Sequence, residues 1–175
     1  MKVRFGMRWT VALAVLAVAG AMAAGVAGLA QQGAGDQVLS AADATKLLPA
    51  AVYFKGQSAT TQLRNSGGVK FADGFYVLST LVDTSGYSSD VQQKYQAYLI
   101  AEVPIKIEGH SLAAGIYGVG FMEGKFVVLD VGAHDLFSVT AHSDEEMKRP
   151  MPLKVTADGS GFRLYEGRKY VGFKR

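Results

Sequence analysis

The chain of 175 residues contains no cysteine. This absence excludes a lipid anchor attached through cysteine, a disulfide framework, a thiol nucleophile and any metal site with thiolate ligands. A domain without disulfides must be stabilised by its own hydrophobic core. About 145 residues would remain after removal of the N-terminal leader described below, and a chain of that size buries about 68% of its unfolded surface.

An excess of charge of one sign is also missing once the N-terminus is set aside. The formal net charge is +3, from 18 Lys and Arg against 15 Asp and Glu. Lys2, Arg4 and Arg8 lie in the N-terminal region, and subtracting these three from 18 leaves 15 basic residues against 15 acidic ones. A balanced chain lacks the electrostatic footprint that phosphate binding requires, so the sequence argues against nucleic acid as a partner.

Residues 1–30 have the organisation of a signal peptide. The basic residues are followed by an uncharged stretch, residues 10–30, which ends in Gly28-Leu29-Ala30, the small-x-small form of a signal-peptidase site. We expect cleavage after Ala30 and a periplasmic or secreted protein. The alternative is an uncleaved membrane anchor, because about 20 residues are enough to span a bilayer. Both readings predict that the remainder of the chain is exported.

Residues 31–51 are predicted to form a linker and a short helix. Ser40 is a capping residue with Asp43 three positions later, close to a capping box, and Pro49 ends the helix. Residues 52–175 are predicted to form a single β-domain.

The β-domain is predicted from alternation and from turn signals. Apolar residues alternate with polar ones over residues 99–107, which is typical of a half-buried strand, and a meander is expected to continue to residue 131. Asp73-Gly74 predicts a hairpin, and residues 65–68 (Asn-Ser-Gly-Gly) predict a turn. Residues 158–161 and Glu166-Gly167 predict two further turns between strands, and residues 134–142 predict another strand. Altogether the pattern predicts an all-β, mainly antiparallel fold of about 8–10 short strands with one or two short helices, either a small β-barrel or a β-sandwich.

Two glycines favour the barrel over the sandwich. Gly118 and Gly120 fall on one face of a predicted strand, where glycine indicates sharp sheet curvature or the close approach of another element. The C-terminal residues 162–175 mix basic and aromatic residues. Their alternation is predicted to form a hairpin with aromatic side chains inward and cations outward.

Residues 83–98 lack the strand pattern and are predicted to form a loop and a short helix. This segment is the predicted ligand site, because loops on a rigid scaffold often carry function. Its candidate residues offer hydrogen bonds and aromatic faces: Asp83, Tyr87, Lys94, Tyr95 and Tyr98. We expect a small molecule, a glycan or another cell-envelope component as the ligand. The alternative is an ordinary cap whose tyrosines pack onto the rim of the β-domain.

A catalytic role is not predicted, but two alternatives have some support in the sequence. Gly109-His110-Ser111 is similar to the start of a nucleophile elbow, and Asp130 and His142 follow in the order of a triad. The elbow requires a helix next, whereas the residues after Ser111 lead into a predicted strand. No catalytic residue is therefore assigned, although a hydrolase that uses Ser111 remains the first alternative.

The second alternative is a metal-dependent enzyme that uses His134 and His142. A continuous strand between them would separate their ends by about 26 Å at 3.3 Å per residue. Two ligands of one ion must each lie about 2 Å from the metal. We therefore predict no metal and no cofactor. A purely structural envelope protein is the third alternative, and the sequence does not indicate an oligomeric state.

Overall fold

The computed structural model describes residues 35–159 and 161–175. Over these residues the chain forms fourteen strands and two short helices. In chain order they are β1 (Gln37–Leu39), α1 (Ala41–Ala44), β2 (Ala51–Phe54), β3 (Gln57–Lys70), β4 (Tyr76–Val82), α2 (Ser89–Lys94), β5 (Ala97–Ala101), β6 (Ile105–Ile107), β7 (His110–Leu112), β8 (Gly115–Met122), β9 (Lys125–Leu129), β10 (Asp135–Thr140), β11 (His142–Ser143), β12 (Met151–Asp158), β13 (Gly161–Gly167) and β14 (Lys169–Lys174). All pairings among them are antiparallel, which confirms the predicted all-β class.

The first sheet has eight strands, in the order β1-β3-β4-β5-β8-β9-β10, with β2 paired to β3. The hairpin predicted at Asp73-Gly74 joins β3 to β4. The turn predicted at residues 65–68 is wrong, because these residues lie inside β3. The register of β3 against β4 shifts between Gln62 and Ser66, and this bulge accommodates the polar and glycine residues within a continuous strand.

The second sheet has six strands, in the order β12-β13-β14-β6-β7, with β11 paired to β14. The pairing of Asp158 with Gly161 closes the β12–β13 hairpin, and the pairing of Glu166 with Lys169 closes the β13–β14 hairpin. Both hairpins fall where the sequence predicts them, because each is marked by a local glycine signal.

The predicted meander is wrong in one respect, since the strand predicted over residues 99–107 is two strands in different sheets. The first sheet contains β5, which ends at Ala101, and the second contains β6, which begins at Ile105. Pro104 lies between them and has no N–H to donate to a strand ladder. The strand predicted over residues 134–142 divides in the same way into β10 and β11.

Both sheets contribute to one apolar core. Leu99 and Phe126 of the first sheet belong to the same buried cluster as Ile105 and Phe173 of the second. The barrel favoured by the sequence is therefore corrected to a sandwich: among the described residues, no strand pairing joins one sheet to the other. The physical reason is that the β6–β7 hairpin joins the second sheet instead of extending β5 in the first.

The outer face of the first sheet is covered by α2 and by the β2–β3 hairpin. A Cβ atom on Gly118 would lie 2.5 Å from the ring of Phe54 and 2.9 Å from that of Tyr95, and one on Gly120 would lie 2.5 Å from the Lys94 carbonyl oxygen. The two glycines therefore permit the close approach of other elements, which was one of the two predicted reasons for them.

The N-terminal predictions are tested only from residue 35 onward. Ser40 caps α1 as predicted, accepting a hydrogen bond from the Asp43 N–H at 3.2 Å. The short strand β1, within the predicted linker and helix segment, pairs with β3. The predicted leader and its cleavage after Ala30 lie outside the described residues. Neither helix of the described part is long and apolar enough to cross a bilayer.

Candidate functional site

The polar residues of the predicted loop site already have partners within the protein. Asp83 is exposed and accepts a hydrogen bond from the Ser85 N–H at 3.0 Å, which holds the pKa of Asp83 below its usual value. Lys94 Nζ lies 2.6 Å from a carboxylate oxygen of Asp135 on β10. The first contact stays within the loop before α2, and the second ties the C-terminal end of α2 to β10.

The three tyrosines of the predicted site are buried in the layer between α2 and the first sheet. Tyr95 is fully buried and stacks on Phe54 with ring centroids 3.8 Å apart, while Tyr87 donates a hydrogen bond to the Phe54 carbonyl at 3.0 Å. Tyr98 is buried in the same cluster. Burial raises the pKa of each of these hydroxyls. The three rings therefore lie inside the packed layer and are not presented at the surface, and ligand binding at this loop stays a prediction.

The candidate residues of the two catalytic alternatives each contact a different partner: Ser111 lies opposite Lys106, His134 contacts Asp130 and His142 lies near Glu108. Ser111 is exposed on β7, between strand residues rather than at a strand-to-helix turn, and lies opposite Lys106. His134 Nδ1 lies 2.9 Å from Asp130, and His142 Nε2 lies 3.5 Å from Glu108. Among the described residues no three His, Asp or Glu side chains are arranged to hold a metal ion.

The solvent face of the second sheet carries a pair of lysines that the sequence analysis did not single out. Lys106 of β6 and Lys174 of β14 are direct cross-strand partners, so their side chains leave the same face of the sheet. Ser111 continues the row on the other side of Lys106. Neither lysine forms a salt bridge within the described part of the chain.

The two lysines line a concavity of about 260 Å³, here called the lysine trough. Gly161, Gly172, Glu108 and Asp158 are among its other lining residues.

Both acidic groups of the trough already accept hydrogen bonds from other groups of the protein. Glu108 accepts a hydrogen bond from the Gly172 N–H at 2.5 Å and lies near His142, while Asp158 accepts one from Arg163 Nε at 2.9 Å. Lys106 and Lys174 thus differ from these two acidic groups, because neither lysine has a salt-bridge partner among the described residues.

Two tyrosines of β13 and β14 pack beside Arg163, the partner of the trough residue Asp158. The Arg163 guanidinium lies 4.6 Å from the ring centroid of Tyr170, and Tyr170 packs on Tyr165 at 5.0 Å. Phe162 and Phe173 point into the core as predicted, but these two tyrosines share a face with the cations. The sequence could have predicted this, because Arg163 and Tyr165 are two positions apart on β13 and side chains two positions apart lie on the same face of a strand.

The trough is not apparent from the sequence, because its two lysines come from strands that are distant in the chain. Their adjacency depends on the register between β6 and β14, which no local pattern encodes. Comparisons with protein-family models, with curated proteins and with solved structures found no match to this chain.

Proposed function

We propose that this protein is a non-catalytic, exported β-sandwich that binds an acidic polysaccharide through the lysine trough on the second sheet. The observation that carries the proposal is the cross-strand pair Lys106–Lys174, two cations without a salt-bridge partner among the described residues, which line a shallow concavity. The proposal keeps the glycan as ligand and places it on the second sheet instead of at residues 83–98.

Charge complementarity supports an anionic ligand. Like charges directly opposite each other on adjacent strands are destabilising, so an anion between the two lysines would reduce their mutual repulsion. A carboxylate is suited to this role because it can accept hydrogen bonds from both ammonium groups, and charge-assisted bonds are the stronger ones.

The size and surroundings of the trough support a sugar. A volume of about 260 Å³ suits one sugar residue of a chain better than a large folded partner. The trough is open to solvent, so a polymer can continue beyond it along the sheet. The backbone at Gly109 and Gly161, and Ser111 beside Lys106 on the same face, offer polar groups to hydroxyls. Nucleic acid is a poorer fit, because two unpaired lysines fall short of the phosphate neutralisation that it requires.

Calorimetric titration with polygalacturonate, and with dextran as an uncharged comparison, tests this function. We expect binding of the acidic polymer alone, with an affinity that falls as salt is added. Lys106→Gln and Lys174→Gln should each weaken binding about tenfold, since each removes a charge-assisted contact.

Lys125→Gln is the matched control, because Lys125 is exposed on the first sheet and its loss changes the net charge equally. If all three substitutions weakened binding equally, the loss of affinity would be due to net charge alone, which would contradict a localised site. Absence of binding to any acidic polymer would favour a purely structural role.

A further inference from the structure

A second concavity lies between the two sheets and shares no residue with the lysine trough. It is an open groove of about 610 Å³, lined by Leu81 and Phe121 of the first sheet, by Pro152 of the second and by Pro150, which directly precedes β12. Polar side chains also line it: Gln96, Ser143, Glu166, Arg168 and Lys169. Its volume lies within the range of small-molecule sites, which are about 300–1,000 Å³.

Three of these polar side chains already have partners. Gln96 accepts a hydrogen bond from the Phe121 N–H at 2.7 Å, Ser143 donates one to Glu145 at 2.6 Å, and Arg168 donates one to the Glu145 carbonyl at 3.3 Å. They shape the groove but have little capacity left for a ligand.

Glu166 and Lys169 are different. They are cross-strand partners in the β13–β14 hairpin, yet their charged groups do not form a salt bridge, and neither side chain has a hydrogen-bond partner among the described residues. Glu166 is partly buried, and this burial raises the pKa of its carboxyl to about 7, against the lowering influence of Lys169. A carboxylate at this position lacks a hydrogen-bonded cation.

We propose that the groove binds a small zwitterion with an apolar side chain, of the free amino-acid class. The ammonium group of the ligand pairs with Glu166, its carboxylate pairs with Lys169 at the opposite strand position, and its side chain packs on Leu81, Phe121 and the two prolines. A ligand with only a cation would meet the repulsion of Lys169 and Arg168, and one with only an anion would leave Glu166 unsatisfied. This site is independent of the polysaccharide function proposed above.

Calorimetry on the full chain tests the proposal with leucine, N-acetyl-leucine, leucinamide and glycine. At about pH 8, where Glu166 is ionised, leucine should bind, and each of the other three should bind about tenfold more weakly or not at all. N-acetylation removes the ammonium charge, amidation removes the carboxylate, and glycine lacks the apolar side chain.

A substitution then assigns the ammonium contact. Glu166→Gln should abolish the preference for leucine over N-acetyl-leucine while the preference over leucinamide remains. Glu146→Gln, at an exposed carboxylate of the neighbouring loop, should leave both preferences unchanged. Failure of leucine to bind, or a preference for leucine over its N-acetyl form that survives Glu166→Gln, would overturn the proposal. Neither result depends on polygalacturonate binding, so the two functions fail separately.

Discussion

Lys106 and Lys174 lie directly opposite each other on antiparallel strands, and neither forms a salt bridge within the described part of the chain. Cross-strand like charges reduce stability, by an amount comparable to the 0.2–1 kcal/mol, roughly, that favourable pairs contribute. A fold that retains such a pair has a site in which both charges are available to an anion. We therefore expect the repulsion between the two lysines to lower the stability of the free protein by a measurable amount.

Lys174→Gln should raise the free energy of unfolding at low ionic strength, because it removes the repulsion from Lys106. We expect a gain of up to about 0.5 kcal/mol in urea melts. The gain should disappear at about 1 M salt, where the Debye length is about 3 Å. Lys125→Gln, without a like-charged cross-strand partner, should show no such salt-dependent gain. A loss of stability in Lys174→Gln at low salt would contradict the repulsion.

Glu166 should make stability depend on pH in a direction opposite to that of an ion-paired carboxylate. Its pKa is about 7 in the folded protein against 4.5 for the unpaired group, so the folded state holds the proton more tightly. The resulting stabilisation is complete below about pH 4.5 and is lost as the pH rises through about 7. The measurement is the difference in free energy of unfolding between wild type and Glu166→Gln, which cancels the titration of the histidines and other carboxyls.

Relative to Glu166→Gln, the wild type should therefore lose stability between about pH 5 and pH 8, on the order of 1–3 kcal/mol. Glu146→Gln, which replaces an exposed carboxyl, should show no comparable trend. A wild-type stability that rises relative to Glu166→Gln over this range would show that Glu166 has a cationic partner in the free protein.

Ile105 and Lys106 provide a one-residue test of the β6 register and of the core. Ile105 is 1% exposed between the sheets, whereas Lys106 is exposed on the opposite face. Ile105→Asp should destabilise the protein by more than about 4 kcal/mol, because it buries a carboxylate without a partner. Lys106→Asp should change stability by about 0.5 kcal/mol or less. Similar urea midpoints for the two variants would contradict the strand assignment.

The contrast between Ile105 and Lys106 follows from the alternation of apolar and polar residues. The same alternation does not predict the sheet to which each strand belongs. Leu99, Val103 and Ile105 are all buried, as predicted, although the chain changes sheets between them. Because the two sheets share one core, every second residue still points inward where the chain passes from β5 to β6. The pattern therefore predicts burial correctly and does not reveal which sheet each strand joins.

Features of the structure that depend on adjacent residues can be predicted from the sequence, whereas those that depend on contacts between distant segments cannot. The hairpin turns are encoded by a few adjacent residues, so Asp73-Gly74 and Glu166-Gly167 were identified. The pairing of Lys106 with Lys174, and the position of Glu166 in a groove between sheets, depend on contacts between distant segments. Composition alone also cannot separate a tyrosine that binds a ligand from one that packs, and Tyr95 is fully buried in a region predicted as a ligand site.

Tyr95 and Tyr87 test whether those tyrosines act through packing or through their hydroxyls. The Tyr95 hydroxyl is buried and has no hydrogen-bond partner among the described residues, whereas Tyr87 donates to the Phe54 carbonyl. An unsatisfied buried polar group costs about 1–3 kcal/mol, so Tyr95→Phe should be neutral or should stabilise the protein by up to about 1 kcal/mol. Tyr87→Phe should destabilise it by about 1 kcal/mol, because it leaves the carbonyl without that donor.

Thermal and urea melts of the two variants make the comparison, with Phe54→Leu as a control for loss of ring stacking. Phe54→Leu should destabilise the protein more than Tyr87→Phe, since it removes stacking on Tyr95 at 3.8 Å and leaves space in a packed layer. If Tyr95→Phe instead lowered stability by more than about 1 kcal/mol, its hydroxyl would have to be satisfied in solution. A water or ligand at that hydroxyl would then return residues 83–98 to consideration as a binding site.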